Sequence, residues 1–186
     1  MNRISALDPA QTTSKAKALF DGVHAKLGAV PNLLRTIGNS PAALEGYLNL
    51  SSALAGGKLS AGQREQVALA VAETNLCGYC LSAHSVIGEK AGLSAEDIAK
   101  ARTASATDAK TDAVLKFARS IVVNRGEVNN SDLTAARDAG LNDEDLIETV
   151  ANVSLNILTN YVNHVAHTTI DFPEVKPGEI EITAAN

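Results

Sequence analysis

The 186-residue chain sets 16 Lys and Arg against 21 Asp and Glu, for a net charge of −5 and a pI near 5.3. That balance leaves no dense basic surface for a phosphate backbone. No apolar run approaches the ~20 residues of a membrane-spanning helix, and the opening "MNRISALDPAQTT" lacks the apolar core of a signal peptide. A cytoplasmic protein with neither nucleic acid nor membrane as partner is therefore expected.

With no Trp, three Phe and three Tyr, the core must be built from Ala, Leu and Val, which suits closely packed helices. Pro9 and the following "AQTTSKAKALFDGVHAKLG" predict a first helix, stopped by Gly28. "AVPNLL" predicts a turn into a short helix ending near Gly38-Asn39. Ser40-Pro41 then starts another, Pro being favoured just inside a helix N-terminus. That helix, "PAALEGYLNLSSALA", carries Leu44, Tyr47, Leu48 and Leu54 and ends at Gly56-Gly57.

Three later helices share a start signal. Ser60 with Gln63, Ser94 with Asp97, and Asn142 with Asp145 have capping-box spacing. Leu93 with Ile98, and Leu141 with Leu146, have the spacing of hydrophobic staples. "AGLSAEDIAK" nearly repeats in "AGLNDEDLIE", and "LSAGQREQVALAVAETNLCGYC" runs loosely alongside "LNDEDLIETVANVSLNILTNYV". Two related helical units are expected, only the first carrying cysteines. "TDAVLKFARSIVVNRGEV" predicts a further helix ended by Gly126. The expected fold class is all-α: one helical domain over residues 1–172, with its CxxC core at about 59–101. Residues 173–186 form a tail that packs on a neighbour or frays.

The stretch "ETNLCGYCLSAH" holds both cysteines of the chain. With Asn75 breaking the preceding helix and Cys77 at the next helix start, Cys77, Cys80 and His84 fall on one face. Free N–H groups at the helix start favour a thiolate. His84, one turn beyond Cys80, can take a thiol proton and return it to a leaving group. The chemistry asks for sulfurs exposed beside that imidazole. Three readings follow: a redox dithiol, two inert buried cysteines, or a metal site with His164 or His167 as fourth ligand. The spacing to His84 argues for Cys80 as nucleophile with Cys77 resolving, whereas the helix-end position favours Cys77; Cys80 is preferred.

Further along, "NILTNYVNHVAH" sets Asn156, Asn160 and His164 on one helical stripe, with His167 close by. Such a stripe is either a set of polar groups satisfied by hydrogen bonds or, for Asn160 and His164, a wall of the dithiol pocket. His24 reads as a surface or interface residue.

"REQVALAVAETNLCGYCLSAHSVIGEKAGLS" resembles the core of the AhpD-like alkylhydroperoxidases within the carboxymuconolactone decarboxylase family, closest to the peroxidase-related branch. The resemblance extends through "AVPNLLR", "SPAALEGYL" and "NYVNHVAHTTIDFPEV", and Glu65, Cys77, Cys80 and His84 fit the family pattern without a gap. It implies an AhpD-like helical fold, assembly into homotrimers or homohexamers, and thiol-dependent reduction of a small organic hydroperoxide. In that scheme one cysteine becomes a sulfenic acid, the other closes a disulfide, and a dithiol electron donor reopens it. Glu65 and His84 relay protons, with no metal or organic cofactor. Along one straight helix Glu65 would stand roughly 18 Å from Cys77 at 1.5 Å per residue, so the chain must turn near residues 74–76. Outside the family pattern, Glu65 reads as a solvated helix-surface carboxylate like Glu73. The best-known hydroperoxidases of the family have a second His directly before the second cysteine; here Tyr79 stands there, a pocket residue whose hydroxyl can hydrogen-bond but shuttles protons less easily. Alternative functions are a redox-sensing or interaction module with little turnover, a metal-binding protein, and a carboxymuconolactone decarboxylase-type lyase.

Overall fold

The computed structural model describes residues 2–179. Among them the chain forms nine helices and no strand. In order these are α1 (Ser14–Leu27), α2 (Asn32–Ile37), α3 (Pro41–Leu54), α4 (Ala61–Thr74), α5 (Gly78–Lys90), α6 (Ala95–Arg102), α7 (Ala109–Val123), α8 (Asn130–Asp138) and α9 (Asp143–Ala166). No helix of the described residues is long and apolar enough to cross a membrane.

α4 occupies the centre. Gln66 through Ala72 are buried without a break, because α5, α6, α7 and α9 all pack around it. Alanines at 68, 70 and 72 let those neighbours approach closely on every side. The helix starts are set by the three expected capping boxes: Ser60, Ser94 and Asn142 each accept from the N3 amide, while Gln63, Asp97 and Asp145 reach back. Leu141, Leu146 and Ile98 are buried as the staples require. Glu148 of α9 accepts from the Lys58 and Leu59 amides, both at 2.8 Å, which ties α9 to the start of α4.

The repeat holds at the caps and fails in the path. α4 ends at Asn75 and the chain turns back into α5, whereas α9 runs straight for 24 residues. The turn is a Schellman motif: Cys77 N–H donates to Ala72 O at 2.8 Å and Leu76 N–H to Glu73 O at 3.1 Å. Leu76 takes the left-handed position, with φ 56°.

Three expectations need correction. α1 starts at Ser14, not at Pro9, because Asp8 accepts the Ala10 amide and its carbonyl accepts the Thr12 hydroxyl, closing a turn there instead. α8 was not expected at all; of its residues only Ala136 is buried, so its apolar stripe is too weak to read. The tail neither frays nor leaves the molecule over its described part: Val175 N–H donates to Ser82 Oγ, Gly178 N–H to Glu73, and Arg102 to the Lys176 carbonyl. The rest of the expected tail, 180–186, lies outside the described residues.

Candidate functional site

The turn at Asn75 and Leu76 makes α4 and α5 an antiparallel pair, and it places Cys77 at the N-cap of α5. Cys77 and Cys80 are joined as a disulfide with Cα atoms 5.3 Å apart. The Cys80 amide donates to Cys77 Sγ at 3.3 Å, so the first sulfur caps the helix that carries the second. Folding back also returns Glu65 to this helix: its Oε2 lies 2.7 Å from His84 Nδ1, with both side chains largely shielded from water. The carboxylate fixes the proton on Nδ1 and leaves Nε2 as the basic nitrogen.

The sulfurs are not exposed, contrary to the sequence-based expectation. Cys77 and Cys80 retain 1% and 2% of their surface. α9 lies across them, and the segment after it passes over Gly78, with Pro177 and Val175 3.7 Å from where a Cβ would stand. Their surroundings are nevertheless polar. Asn160 Nδ2 donates to Cys80 Sγ at 3.1 Å, and Asn163 Nδ2 points at both sulfurs, 3.3 Å from Cys80 and 3.9 Å from Cys77. Asn75 Nδ2 donates to Asn160 Oδ1 at 2.9 Å, which orients that carboxamide toward the sulfur.

The polar stripe of α9 therefore divides. Asn156 bonds back to the Asn152 carbonyl and is satisfied within its own helix. Asn160 touches the sulfur pair. His164 donates from Nε2 to the Asn75 carbonyl at 2.9 Å and lines a small pocket beside Cys77, as do Tyr79 and His167. His24 is exposed on α1. Asn163 was missed, although its position three residues after Asn160 sets it on the same helical face.

The Tyr79 hydroxyl is tied down on both of its hydrogen-bonding sides. The residue is only 4% exposed, and its hydroxyl donates to Asp171 Oδ1 at 2.7 Å and accepts from the Leu33 amide at 3.0 Å. Its ring meets Phe172 edge-on. Burial pushes the phenol far above its ordinary range; the Leu33 N–H opposes that and the Asp171 carboxylate adds to it. Asp171 Oδ2 also accepts from the Asn32 amide at 2.8 Å. Residues 79 and 171 thus satisfy two open amides at the start of α2, whose own N-cap, Pro31, supplies no side-chain acceptor. Tyr47 on α3 also stays protonated: burial, and then the nearby Glu65 carboxylate, push it up to about 12. Glu73 is not the solvated carboxylate expected from sequence; it is largely buried and paired with Arg102 at 2.8 Å.

Residues 41–122 match the family model described as the carboxymuconolactone decarboxylase family. Over that segment the chain is similar to the family. No curated protein matches it. Among solved structures, an uncharacterized peroxidase-related protein from Ralstonia eutropha, described as an alkylhydroperoxidase AhpD core, superposes with a TM-score of 0.81 at 24% identity, over 91% of this chain and 92% of its own. A peroxidase-related protein from a Silicibacter species gives 0.75 at 23% identity, covering 90% and 92%. The debrominase Bmp8, as a cysteine-to-alanine variant in complex with 2,3,4-tribromopyrrole, gives 0.77 at 18% identity, covering 91% of each chain. The chain therefore has the AhpD-like fold.

Proposed function

We propose that the chain is a thiol-dependent peroxidase that reduces organic hydroperoxides through a Cys77–Cys80 dithiol–disulfide cycle. The observation that carries this reading is the Glu65–His84 pair at 2.7 Å, on the same helical hairpin as a bonded C-x-x-C. In the reduced state His84 Nε2 takes the Cys80 proton, and the thiolate attacks the terminal peroxide oxygen. The O–O bond breaks, and the alkoxide leaves with the proton that His84 returns. Cys80 is then a sulfenic acid; Cys77 attacks it, expels water and closes the disulfide. A dithiol donor supplies the two electrons that reopen the bond. Glu65 holds the imidazole in place through Nδ1.

Assembly into a homotrimer or homohexamer belongs to the same proposal. α9 turns its asparagines inward and leaves Ile147, Leu158, Tyr161 and Val165 on its opposite side, each at least 43% exposed.

Peroxide titration of the reduced protein with thiol counting tests the activity. The expected result is loss of both thiols per equivalent of peroxide, with sustained turnover once a dithiol is added. Oxidation without turnover would instead support a redox sensor. Decarboxylation of a carboxylated lactone that persists in Cys80→Ser would support the lyase. A brominated pyrrole is the control substrate suggested by the debrominase of like fold.

A further inference from the structure

The two sulfurs are not equivalent in their surroundings. The pocket of about 260 Å³ at the start of α5 is lined by Cys77 and not by Cys80. Two of the residues that line it, Asn163 and Thr168, each keep a buried side-chain oxygen with no hydrogen-bond partner among the described residues, Oδ1 and Oγ1. Asn163 itself is 6% exposed. Native proteins seldom leave such atoms unpaired, because each costs about 1–3 kcal/mol. A carboxamide oxygen is an acceptor only, so a partner that satisfies it must bring an N–H or O–H. Behind Cys77, the sulfur of Cys80 faces the Nδ2 donors of Asn160 and Asn163, at 3.1 and 3.3 Å.

We propose that this pocket seats the reducing thiol, a small or slender compound with its own hydrogen-bond donor, and that Cys77 Sγ is the atom it attacks. The inference rests on the dithiol cycle proposed above and assigns its reductive half. The donor thiolate forms a bond to Cys77 Sγ while the Cys77–Cys80 bond breaks, and the electron pair leaves on Cys80 Sγ. Asn160 and Asn163 receive that thiolate with two N–H donors, and a stabilised leaving thiolate departs faster. His164 has committed Nε2–H to the Asn75 carbonyl, so its Nδ1 can take the proton of the incoming thiol. With a dithiol, the second thiolate attacks the donor sulfur held on Cys77. That closes the donor's disulfide and releases the Cys77 thiolate. Two electrons and two protons then pass from donor to protein. The division of labour is consistent throughout: Cys80 meets peroxide and Cys77 meets the reductant.

Wild-type protein suffices for the test. The oxidised protein is mixed briefly with 2-mercaptoethanol and iodoacetamide, quenched in acid and digested with chymotrypsin, which cuts after Tyr79 and separates the two cysteines. Mass spectrometry should find mercaptoethanol on the Cys77 fragment and the carbamidomethyl group on the Cys80 fragment. The reverse pattern, or equal amounts of both, overturns this assignment and leaves the peroxidase reading standing. A disulfide that no thiol opens overturns both. As a second measurement, Asn163→Ala should slow opening by 2-mercaptoethanol about tenfold or more, the loss expected for one hydrogen bond to a charged group. An unchanged rate in that variant also counts against the assignment.

Discussion

Glu65 stands on α4 and His84 on α5, and their contact is the most consequential pair in the site. Glu65→Gln keeps the shape but replaces the carboxylate that fixes the Nδ1 proton. On the proposed cycle, peroxide turnover should fall by about 10²- to 10⁴-fold, the usual weight of an acid–base relay, with the helical circular dichroism unchanged. Tyr79→Phe should behave in the opposite way. It strands the Leu33 amide and one lone pair of Asp171, for a cost of about 1–3 kcal/mol in a urea melt, while turnover per folded molecule is kept. The cysteines and His84 were legible in the sequence because helical spacing alone aligns them. Glu65 was legible only through its resemblance to a family, since its approach requires a reversal of direction that no spacing along one helix expresses. Asn163 carries no motif, and Asp171 sits where periodicity has faded, so neither could be singled out.

At the level of elements, the hairpin depends on a leucine in a conformation that favours glycine. A left-handed L-residue costs about 1–2 kcal/mol, and glycine returns about 0.5–1 kcal/mol of that as extra freedom in the unfolded chain. Leu76→Gly should thus raise stability by about 0.5–1 kcal/mol in urea denaturation; a drop of that size would mean that the exposed leucine packs on something in solution. The capping carboxylates set an acid limit. The Ser94 hydroxyl and amide hold Asp97 below its ordinary value. Burial works to raise Asp145, but the Asn142 amide and Lys110 outweigh it, so its value is also lowered. Groups depressed on folding stabilise the native state fully above the unfolded value near 3.9 and lose that contribution as pH falls through the folded one. The urea midpoint should be flat above about pH 5 and fall below about pH 4, with a shallower fall in Asp145→Asn. Capping boxes were legible because two residues at fixed spacing define them. α8 was not, since a short helix on the rim needs little apolar surface.

Across the whole molecule, α9 joins two roles by facing two ways. Its inner side supplies the carboxamides around the sulfurs, and its outer side presents Leu158 at 43% and Tyr161 at 57% exposure. If that side is the contact between copies, Leu158→Glu should lower the mass seen by light scattering to that of one chain, and an unchanged mass would move the contact elsewhere. The all-helical architecture was legible from composition and caps. The path of the chain beyond Thr169 was not, because it is held by backbone and side-chain hydrogen bonds instead of an apolar period. The Asp171 carboxylate has a practical corollary. The Asn32 amide reaches Tyr79, one of the two residues between the cysteines, through that carboxylate, and the Leu33 amide bonds the phenol directly. Those two N–H resonances, far from the sulfurs in sequence, become built-in reporters. Any rearrangement of the dithiol loop that loosens the ring at position 79 should speed their exchange with deuterium, so the state of the reaction centre can be followed without labelling a cysteine.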